Sequence, residues 1–195
     1  CLYTLIAVAL IGNTILSSVK TKSDLINNTW GFPRSFTLDH YRTVLFEDNF
    51  IRNFVNSLTL VLLSLLLLLT VATMAAYGIS RFKFKGRNFL QTYFLLGLMF
   101  PIQLGILPLF IMLTRLGLNN TIHGLSLLYA ANISFSVFVF SKFFRDLPES
   151  LSESAKIDGA NEWQVFLNII LPISKPVLFT IGLINFVMIW NDFYM

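Results

Sequence analysis

The residue types that carry covalent or metal chemistry are scarce in this chain. Cys1 is the single cysteine, so the sequence has no pair for a disulfide and no thiolate set for a metal. His40 and His123 are the two histidines, and neither has a partner ligand nearby. The glycine-rich GxxxxGK[ST] loop that holds nucleotide phosphates is absent. We therefore expect this chain neither to hydrolyse nucleotide nor to perform covalent chemistry on its own.

A different kind of chemistry, protein docking, is indicated by the polar segment 145–171. Ser150 and Glu153 have the S-x-x-E spacing of a capping box, and Pro148 is favourable in the first turn of a helix. Gly159 follows as a residue that adopts positive φ at no steric cost, so it is expected to end the helix. The pattern predicts a helix of about two to three turns, too polar to insert and too short to span a bilayer.

A second helical run follows the glycine, so the segment is expected to form a helix-turn-helix at the inner membrane face. Its apolar residues recur with a helical period: Trp163, Phe166, Ile169 and Ile170. Pro172 or Pro176 is expected to begin the next helix. In the first helix, Ser154 and Ala155 are small enough for close approach by another surface, and Leu151 and Ile157 offer apolar contact. These residues alone leave an ordinary cytoplasmic loop that happens to be helical as the alternative.

The segments around this loop have the composition of a membrane protein. Of the 195 residues, 55% are hydrophobic and 12% are charged, against about 25% charged in a typical soluble domain. Four windows without any Asp, Glu, Lys or Arg, and a fifth apolar stretch, lie at 53–80, 88–114, 116–141, 176–191 and 2–19. Each approaches or exceeds the ~20 residues that cross a ~30 Å hydrocarbon core. The sequence therefore predicts an all-α polytopic membrane protein.

These windows predict five membrane helices in a single transmembrane domain, 1–195, whose two ends are both expected to be truncated. The expected helices lie at about 2–19, 53–79, 89–113, 121–144 and 172–195. Pro101 and Pro108 should bend or break the third of them, because proline removes a backbone hydrogen-bond donor. Helical spacing of apolar residues in 37–46, with Thr37 as a plausible N-cap, predicts a short interfacial helix; a solvated loop is the alternative.

The basic residues assign the loops to the two sides of the membrane. The loops 80–88 and 142–175 are rich in lysine and arginine, whereas 114–122 holds only Arg115. Positive residues mark cytoplasmic loops, so the first two loops are expected inside and the third outside. Parity then places 20–52 outside and the N-terminus in the cytoplasm. The net charge of +4 is therefore explained by topology, and nucleic-acid binding is not expected.

Three polar side chains within the apolar windows are candidates for a substrate path. Gln103, Asn132 and Asn185 are amides, which are expensive to bury in a bilayer and are often functional there. Hydrogen bonding between helices is the alternative for each of them.

The polar loop also closely resembles a known motif. Glu153-Ser154-Ala155, then Gly159, then Ile169-Ile170-Leu171-Pro172 is similar to the EAA…G…I-LP motif of ABC importer permeases, with Ser154 in place of the usual alanine. In that family the loop is a coupling helix that sits in a cleft of a cytoplasmic ATPase. The resemblance assigns ATPase coupling to these residues: Glu153, Ser154, Ala155, Asp158, Gly159, Ile169, Leu171 and Pro172.

The resemblance extends over nearly the whole chain and points to the carbohydrate branch of these permeases. The segments that carry it are Ala75-Ala76-Tyr77, Arg81-Phe82, Gly86-Arg87, Phe100-Pro101-x-Gln103, Asp158-Gly159-Ala160 and Trp190-Asn191-Asp192. Residues 29–41 are similar to the external segment of the second, shorter permease of maltose-type systems. The family implies a type I importer bundle of six membrane helices, of which five are expected here.

The resemblance also implies an assembly in the bacterial or archaeal cell membrane. The expected partners are a second permease subunit in a heterodimer, two ATPase subunits, an extracellular or periplasmic sugar-binding protein, and membrane lipid. ATP and magnesium would be bound by the ATPase, and this chain would bind no cofactor and no metal.

Three other functions remain as alternatives. The first is a permease of the same ABC class for a solute other than sugar. The second is an ion-coupled secondary transporter, which would need ionisable groups inside the helices, whereas Asp192 is the only acid in an apolar stretch and lies at its end. The third is a membrane scaffold or receptor that does not transport.

Overall fold

The structure is a computed structural model that describes residues 2–47 and 49–192, without the side chains of Ile102 and Gln103. Among the described residues the regular structure is helical, apart from one isolated β-bridge. The predicted all-α fold is therefore confirmed. The chain divides into two compact units, Cys1–Val55 and Asn56–Met195.

Over residues 2–47, the first unit contains three helices and a π-helical turn. They are α1 (Leu2–Ser18), α2 (Lys22–Asn27), α3 (Asp39–Arg42) and the π-turn Thr43–Glu47. Leu38, not Thr37, occupies the N-cap position of α3. The Thr37 hydroxyl instead accepts a hydrogen bond from the Asp39 N–H at 3.2 Å and donates one to its carboxylate at 2.7 Å. The N-cap prediction was wrong because this Thr–Asp pair forms one residue before the cap.

A buried lysine holds the polar segment of this unit together. The Lys20 side chain is fully buried, and its ammonium donates to the carbonyl oxygens of Asn28 at 2.7 Å and Thr29 at 3.1 Å. Its own carbonyl bonds the His40 ring at 2.9 Å. A buried ammonium is costly unless its donors are satisfied, so these bonds order the chain that follows α1.

The second unit is built from nine helices, counted over its described residues with α4 included. They are α4 (Phe50–Arg81), α5 (Arg87–Met99), α6 (Ile106–Arg115), α7 (Ile122–Ala131), α8 (Ser134–Asp146), α9 (Ser150–Ile157), α10 (Glu162–Val165), α11 (Leu171–Ile173) and α12 (Lys175–Trp190). A 3₁₀-turn, Ile102–Gly105, precedes α6, and a π-turn, Phe166–Ile170, joins α10 to α11.

Two of the predicted helices are interrupted in the structure. The segment 89–113 breaks after Met99, and Pro101 is the extended residue that caps the 3₁₀-turn. Pro108 does not break α6, because it is the third residue of that helix, where the missing N–H has no intrahelical partner. The segment predicted as a helix at about 121–144 is divided into two, since Asn132 leaves the helical conformation and α7 and α8 meet at a bend of 48°.

The last helix begins beside Pro176, the second of the two prolines that were predicted to start it. Pro172 lies inside α11, and α12 starts at Lys175 after a bend of 73°. Pro172 is tolerated there because the preceding π-turn replaces the α-helical hydrogen-bond pattern that a proline would interrupt. The predicted extension to residue 195 reaches beyond the described residues.

One helix within the described residues is long and apolar enough to cross a membrane by itself. It is α4, with 32 residues, and three spans result if the bent pairs α7–α8 and α10–α12 are each taken as one. The helices α1 and α6 are apolar but shorter. The predicted count of five membrane helices stays a prediction.

The main core of the second unit lies where α4, α8, the α10–α11 run and α12 meet. Its buried residues are Ala72, Ala76, Tyr77, Ile79, Val137, Phe140, Phe144, Val165, Phe166, Ile170 and Ile181. Ala72 and Ala76 are one helical turn apart and fully buried, so the backbone of α4 approaches its neighbours closely. This core positions the polar segment that connects α8 to α12.

Candidate functional site

The segment between α8 and α12 folds as a helical hairpin, α9 followed by α10, which we call the coupling hairpin (residues 147–165). The turn between its helices is formed at Gly159, whose φ is +87°. The Ala160 N–H donates to the Ala155 carbonyl at 2.9 Å, and the Gly159 N–H donates to the Lys156 carbonyl at 3.1 Å. This is the Schellman pattern, so the predicted helix end at Gly159 is confirmed.

The capping box lies on the second helix of the hairpin, not on the first as predicted. Ser150 is already the first helical residue, because Glu149 before it has helical φ and ψ and leaves no extended residue to cap α9. Asn161 has the extended conformation that a cap requires. Its side chain accepts from the Gln164 N–H at 2.9 Å, and the Gln164 side chain accepts from the Asn161 N–H at 2.8 Å.

One face of the hairpin is anchored on the core. Val165 of the second arm and Phe166 and Ile170 of the π-turn that follows it are buried, and Ala155 of the first arm packs against the same cluster. Trp163 is exposed on the run that was predicted to be amphipathic, and the π-turn shifts the helical register of the residues that follow it. The anchored face fixes the orientation of the hairpin relative to α4 and α8.

The opposite face presents the motif residues to their surroundings. Glu153, Ser154, Asp158 and Gly159 are exposed. Beside them, Ile157 is 86% exposed, the largest value for a bulky apolar side chain among the described residues. An isolated apolar side chain next to small and acidic residues at a helix end is suited to contact with another protein surface.

A hydrogen-bond network ties the hairpin to the end of α4. The Tyr77 hydroxyl donates to Glu162 Oε2 at 3.2 Å, and Lys156 Nζ pairs with Glu162 Oε1 at 2.5 Å. Arg81 Nη2 donates to the Leu147 carbonyl at 3.0 Å. The Lys156–Glu162 pair is about half exposed and contributes little stability by itself, but it links the two arms of the hairpin.

A polar cavity of about 380 Å³ lies between the end of α4 and the hairpin. Charges of both signs line it: Arg81, Lys83, Lys156, Glu149, Glu153 and Glu162. The Oγ of Ser152 and the Nε of Arg81 are buried there and find no hydrogen-bond partner among the described residues. Because buried polar atoms are normally paired, these two atoms are suited to receive polar groups of a docked partner.

The predicted coupling residues therefore fall into two groups. Glu153, Ser154, Asp158 and Gly159 lie on the exposed face, while Ala155, Ile169 and Leu171 are half-buried and Pro172 is exposed on α11. Ala155 and Leu171 pack on the core, so these two residues hold the motif-bearing segment in place.

The interpretation of the sequence missed the contacts that Tyr77, Arg81 and Glu162 make with the hairpin. Tyr77 is 85 residues from Glu162 in the chain, so no helical spacing in the sequence indicates that these two residues are in contact. Lys156 and Glu162 lie on opposite sides of the glycine turn, outside the i,i+4 pattern. The sequence signal that was available is the glutamate at the start of a helix, which is favourable for the helix dipole.

The three candidate path residues are not brought together at one described site. Asn132 is exposed at the break between α7 and α8. Asn185 is buried, and its amide donates to Ser136 Oγ at 3.3 Å and to the Ile181 carbonyl at 2.9 Å. For Asn185, this geometry agrees with the alternative to a substrate path, which is hydrogen bonding between helices. The side chain of Gln103 lies outside the described residues.

A family model and several known proteins match this chain. The family model, described as binding-protein-dependent transport system inner membrane component, matches residues 69–195. A putative ABC transporter permease protein, ORF2 of a Caldicellulosiruptor species, is 36% identical over 181 residues, which is 92% of this chain and 66% of that protein. The diacetylchitobiose uptake system permease protein NgcG of Streptomyces coelicolor is 35% identical over 180 residues, 92% of this chain and 60% of that protein.

A solved structure shows the same fold. It is a crystal structure of a bacterial ABC transporter involved in the import of the acidic polysaccharide alginate, with a TM-score of 0.88 and 23% sequence identity. The match covers 98% of this chain and 68% of that chain. The matches to the two relatives cover 92% of the present chain. They cover only 66% and 60% of the relatives' own lengths.

Proposed function

Because the chain belongs to the family of binding-protein-dependent transport system inner membrane components, we propose that it is a permease subunit of an ATP-driven sugar importer. Membership of this family confirms the resemblance to ABC importer permeases and makes the chain part of a membrane protein. The sugar assignment is supported by the substrate named for NgcG and by the polysaccharide named for the structural neighbour.

The observation that carries the proposal is the two-faced coupling hairpin. One face is buried against α4, α8 and α12, and the other exposes the motif residues together with Ile157. A hairpin packed in this way moves as one body with the helices that hold it. A partner that binds the exposed face would therefore displace α4 and α12 when that partner changes conformation.

The partner in this mechanism is a cytoplasmic ATPase. A ligand shifts a conformational equilibrium only to the extent that it binds two states differently. ATP-driven closure of two ATPase subunits would move this hairpin and its counterpart on a second permease subunit, so that the bundle opens toward the outside. ATP and magnesium would be held by the ATPase, and the sugar would be delivered by an extracellular or periplasmic binding protein.

The proposed orientation has the hairpin in the cytoplasm, where it can meet an ATPase. The basic residues in 80–88 and 142–175 support this orientation, in which the N-terminus would lie inside. Gln103 and Asn132 stay candidates for the sugar path, and Asn185 is the weaker candidate because its amide is already hydrogen-bonded to Ser136 and Ile181.

The test is a substitution at the turn of the hairpin. Gly159→Val places a β-branched residue at a φ of +87°, which costs about 1–3 kcal/mol and displaces the turn. We expect sugar uptake to fall at least about tenfold while membrane insertion is unchanged. Sugar uptake is measured with labelled sugar in cells that express the complete transporter. Membrane insertion is measured by immunoblotting of membranes.

Gly117→Val is the matched control. Gly117 has a φ of +70° with nothing near its Cβ position, so the backbone penalty is similar, but it lies in the predicted external loop 114–122. Uptake should stay within about twofold of the original protein, because only strain has been added. Normal uptake by the Gly159 variant, or an equal loss in both variants, would show that the hairpin is not the docking element.

A further inference from the structure

A second cavity, of about 370 Å³, lies between α4, α5 and α8, apart from the coupling hairpin. Its walls are largely apolar and include Phe94, Leu95 and Phe138. Its size is within the roughly 300–1,000 Å³ of small-molecule sites. Its lining includes Gln91 near the start of α5 and Arg145 and Asp146 at the end of α8, and these helix ends are predicted to face the cytoplasm.

Two polar atoms inside this cavity lack partners. The Oγ of Ser141 and the Nε2 of Gln91 are buried, and neither has a hydrogen-bond partner among the described residues. The Ser141 residue as a whole is only 8% exposed, so it cannot turn to solvent. An amide nitrogen and a hydroxyl can both donate hydrogen bonds, so the cavity is lined by donors that have no acceptor among the described residues.

Two cations stand beside these donors. Lys142 and Arg145 line the cavity, and neither forms an ion pair within the described chain. Asp146 also lines the cavity and offsets one of the two charges. The remaining donors and positive charge favour an anion with several acceptor oxygens, such as a phosphate group.

We propose that this cavity binds an anionic phospholipid of the inner leaflet. The phosphate would lie between Ser141, Gln91, Lys142 and Arg145, and the acyl chains would follow the aromatic wall. A basic pocket between membrane helices on the cytoplasmic side has the properties that such headgroups require. The apolar walls favour a lipid over free phosphate, which has no surface to place against Phe94 and Phe138.

This inference uses the cytoplasmic orientation in the proposed function but does not depend on transport. The experiment is lipid retention by the purified, complete transporter, measured by native mass spectrometry after relipidation with phosphatidylcholine, with or without phosphatidylglycerol. Phosphatidylglycerol should be retained selectively. Lys142→Gln should weaken its apparent affinity about fivefold, and the pair Lys142→Gln with Arg145→Gln about 30-fold, since each basic residue contributes a similar share.

Two further variants make the result specific. Lys85→Gln removes the same charge from the neighbouring basic loop outside the cavity, so retention should stay within about twofold. Ser141→Leu keeps both cations but fills the cavity, and retention should fall although the net charge is unchanged. Circular dichroism and gel filtration show whether each variant is folded and assembled.

Several results would overturn the proposal. They are equal retention of phosphatidylcholine, an equal loss in the Lys85 variant, and unchanged retention in the Ser141 variant. Full displacement of lipid by inorganic phosphate would identify a free-anion site instead. Absence of retained lipid in the complete transporter would mean that the cavity holds water or is covered by a partner subunit. Loss of sugar uptake with lipid retention intact would count against the proposed function alone.

Discussion

At the scale of single residues, Tyr77 joins the membrane helix α4 to the coupling hairpin in two ways. Its ring packs against Phe166 with centroids 4.9 Å apart and meets Phe144 edge to face. Its hydroxyl donates to Glu162 on the second arm of the hairpin. The ring contributes packing that phenylalanine would preserve, whereas the hydroxyl contributes a directional link that phenylalanine would remove.

Tyr77→Phe separates these two contributions. We expect a loss of about 1 kcal/mol or less in stability, because one part-buried hydrogen bond is removed and the aromatic contacts remain. The amount of sugar transported per ATP hydrolysed should fall, because the hairpin is then tied to α4 less firmly. Thermal unfolding and paired uptake and ATPase assays on reconstituted transporter measure both effects.

Tyr93→Phe is the control for this substitution, since Tyr93 is exposed on α5 and away from the hairpin. Its transport per ATP should equal that of the original protein. A Tyr77 variant that also equals the original protein would show that the hydroxyl does not take part in coupling.

At the scale of helices, the packing of α5 against α8 depends on a small residue at a close crossing. A Cβ atom built on Gly97 would overlap the side chain of Ser134, the first residue of α8. Small residues permit such approach in membrane proteins, where dispersion contacts take the place of the hydrophobic effect. The nearby break at Phe100–Pro101 shows that α5 ends soon after this crossing.

Gly97→Val should therefore destabilise the protein by about 1–3 kcal/mol, because the larger side chain separates α5 from α8. Gly78→Val is the matched control, since Gly78 is also helical and has no atom near its Cβ position. Its effect should stay below about 1 kcal/mol. The stabilities of the two variants are compared by heat treatment followed by gel filtration. Equal stability of the two variants would show that α5 and α8 have room for a larger side chain at Gly97.

At the scale of the whole molecule, the second unit combines apolar flanks with a polar face at the coupling hairpin. Exposed leucine and phenylalanine side chains on α4, α5 and α12 suit a lipid environment, as at Leu66, Phe89 and Phe179. Ile157 is different, because it stands among polar residues on the hairpin. Such a side chain is suited to a pocket on a partner protein.

Ile157→Asp should reduce recovery of the ATPase with the permease at least about tenfold, because it replaces a side chain worth about 1.5–3 kcal/mol of burial by a charge. Affinity purification of the complete transporter through a tag on the permease measures this. Ile26→Asp is the control, since Ile26 is 81% exposed but lies in the predicted external segment 20–52. Recovery that is unchanged in the Ile157 variant would exclude this side chain from the interface.

The helical class, the apolar segments and the turn at Gly159 could be predicted because each depends on local chemistry. Hydrophobic runs and their spacing identify helices, and a glycine ends a helix through its own backbone freedom. The capping box was misplaced because Ser150–Glu153 and Asn161–Gln164 both have suitable spacing, and only the backbone conformation of Glu149 and Asn161 distinguishes them.

The amino-acid sequence by itself determined that this is a membrane-embedded helical chain with a motif-bearing loop, since composition and short-range pattern suffice for both. The tertiary structure decided how that loop is oriented: which face is buried, that Tyr77 and Glu162 hold it, and that Ile157 protrudes. Those properties arise from contacts between residues far apart in the chain. Helix bends at Asn132 and Ser174 and the register shift of the π-turn accompany these contacts, and no local pattern specifies them.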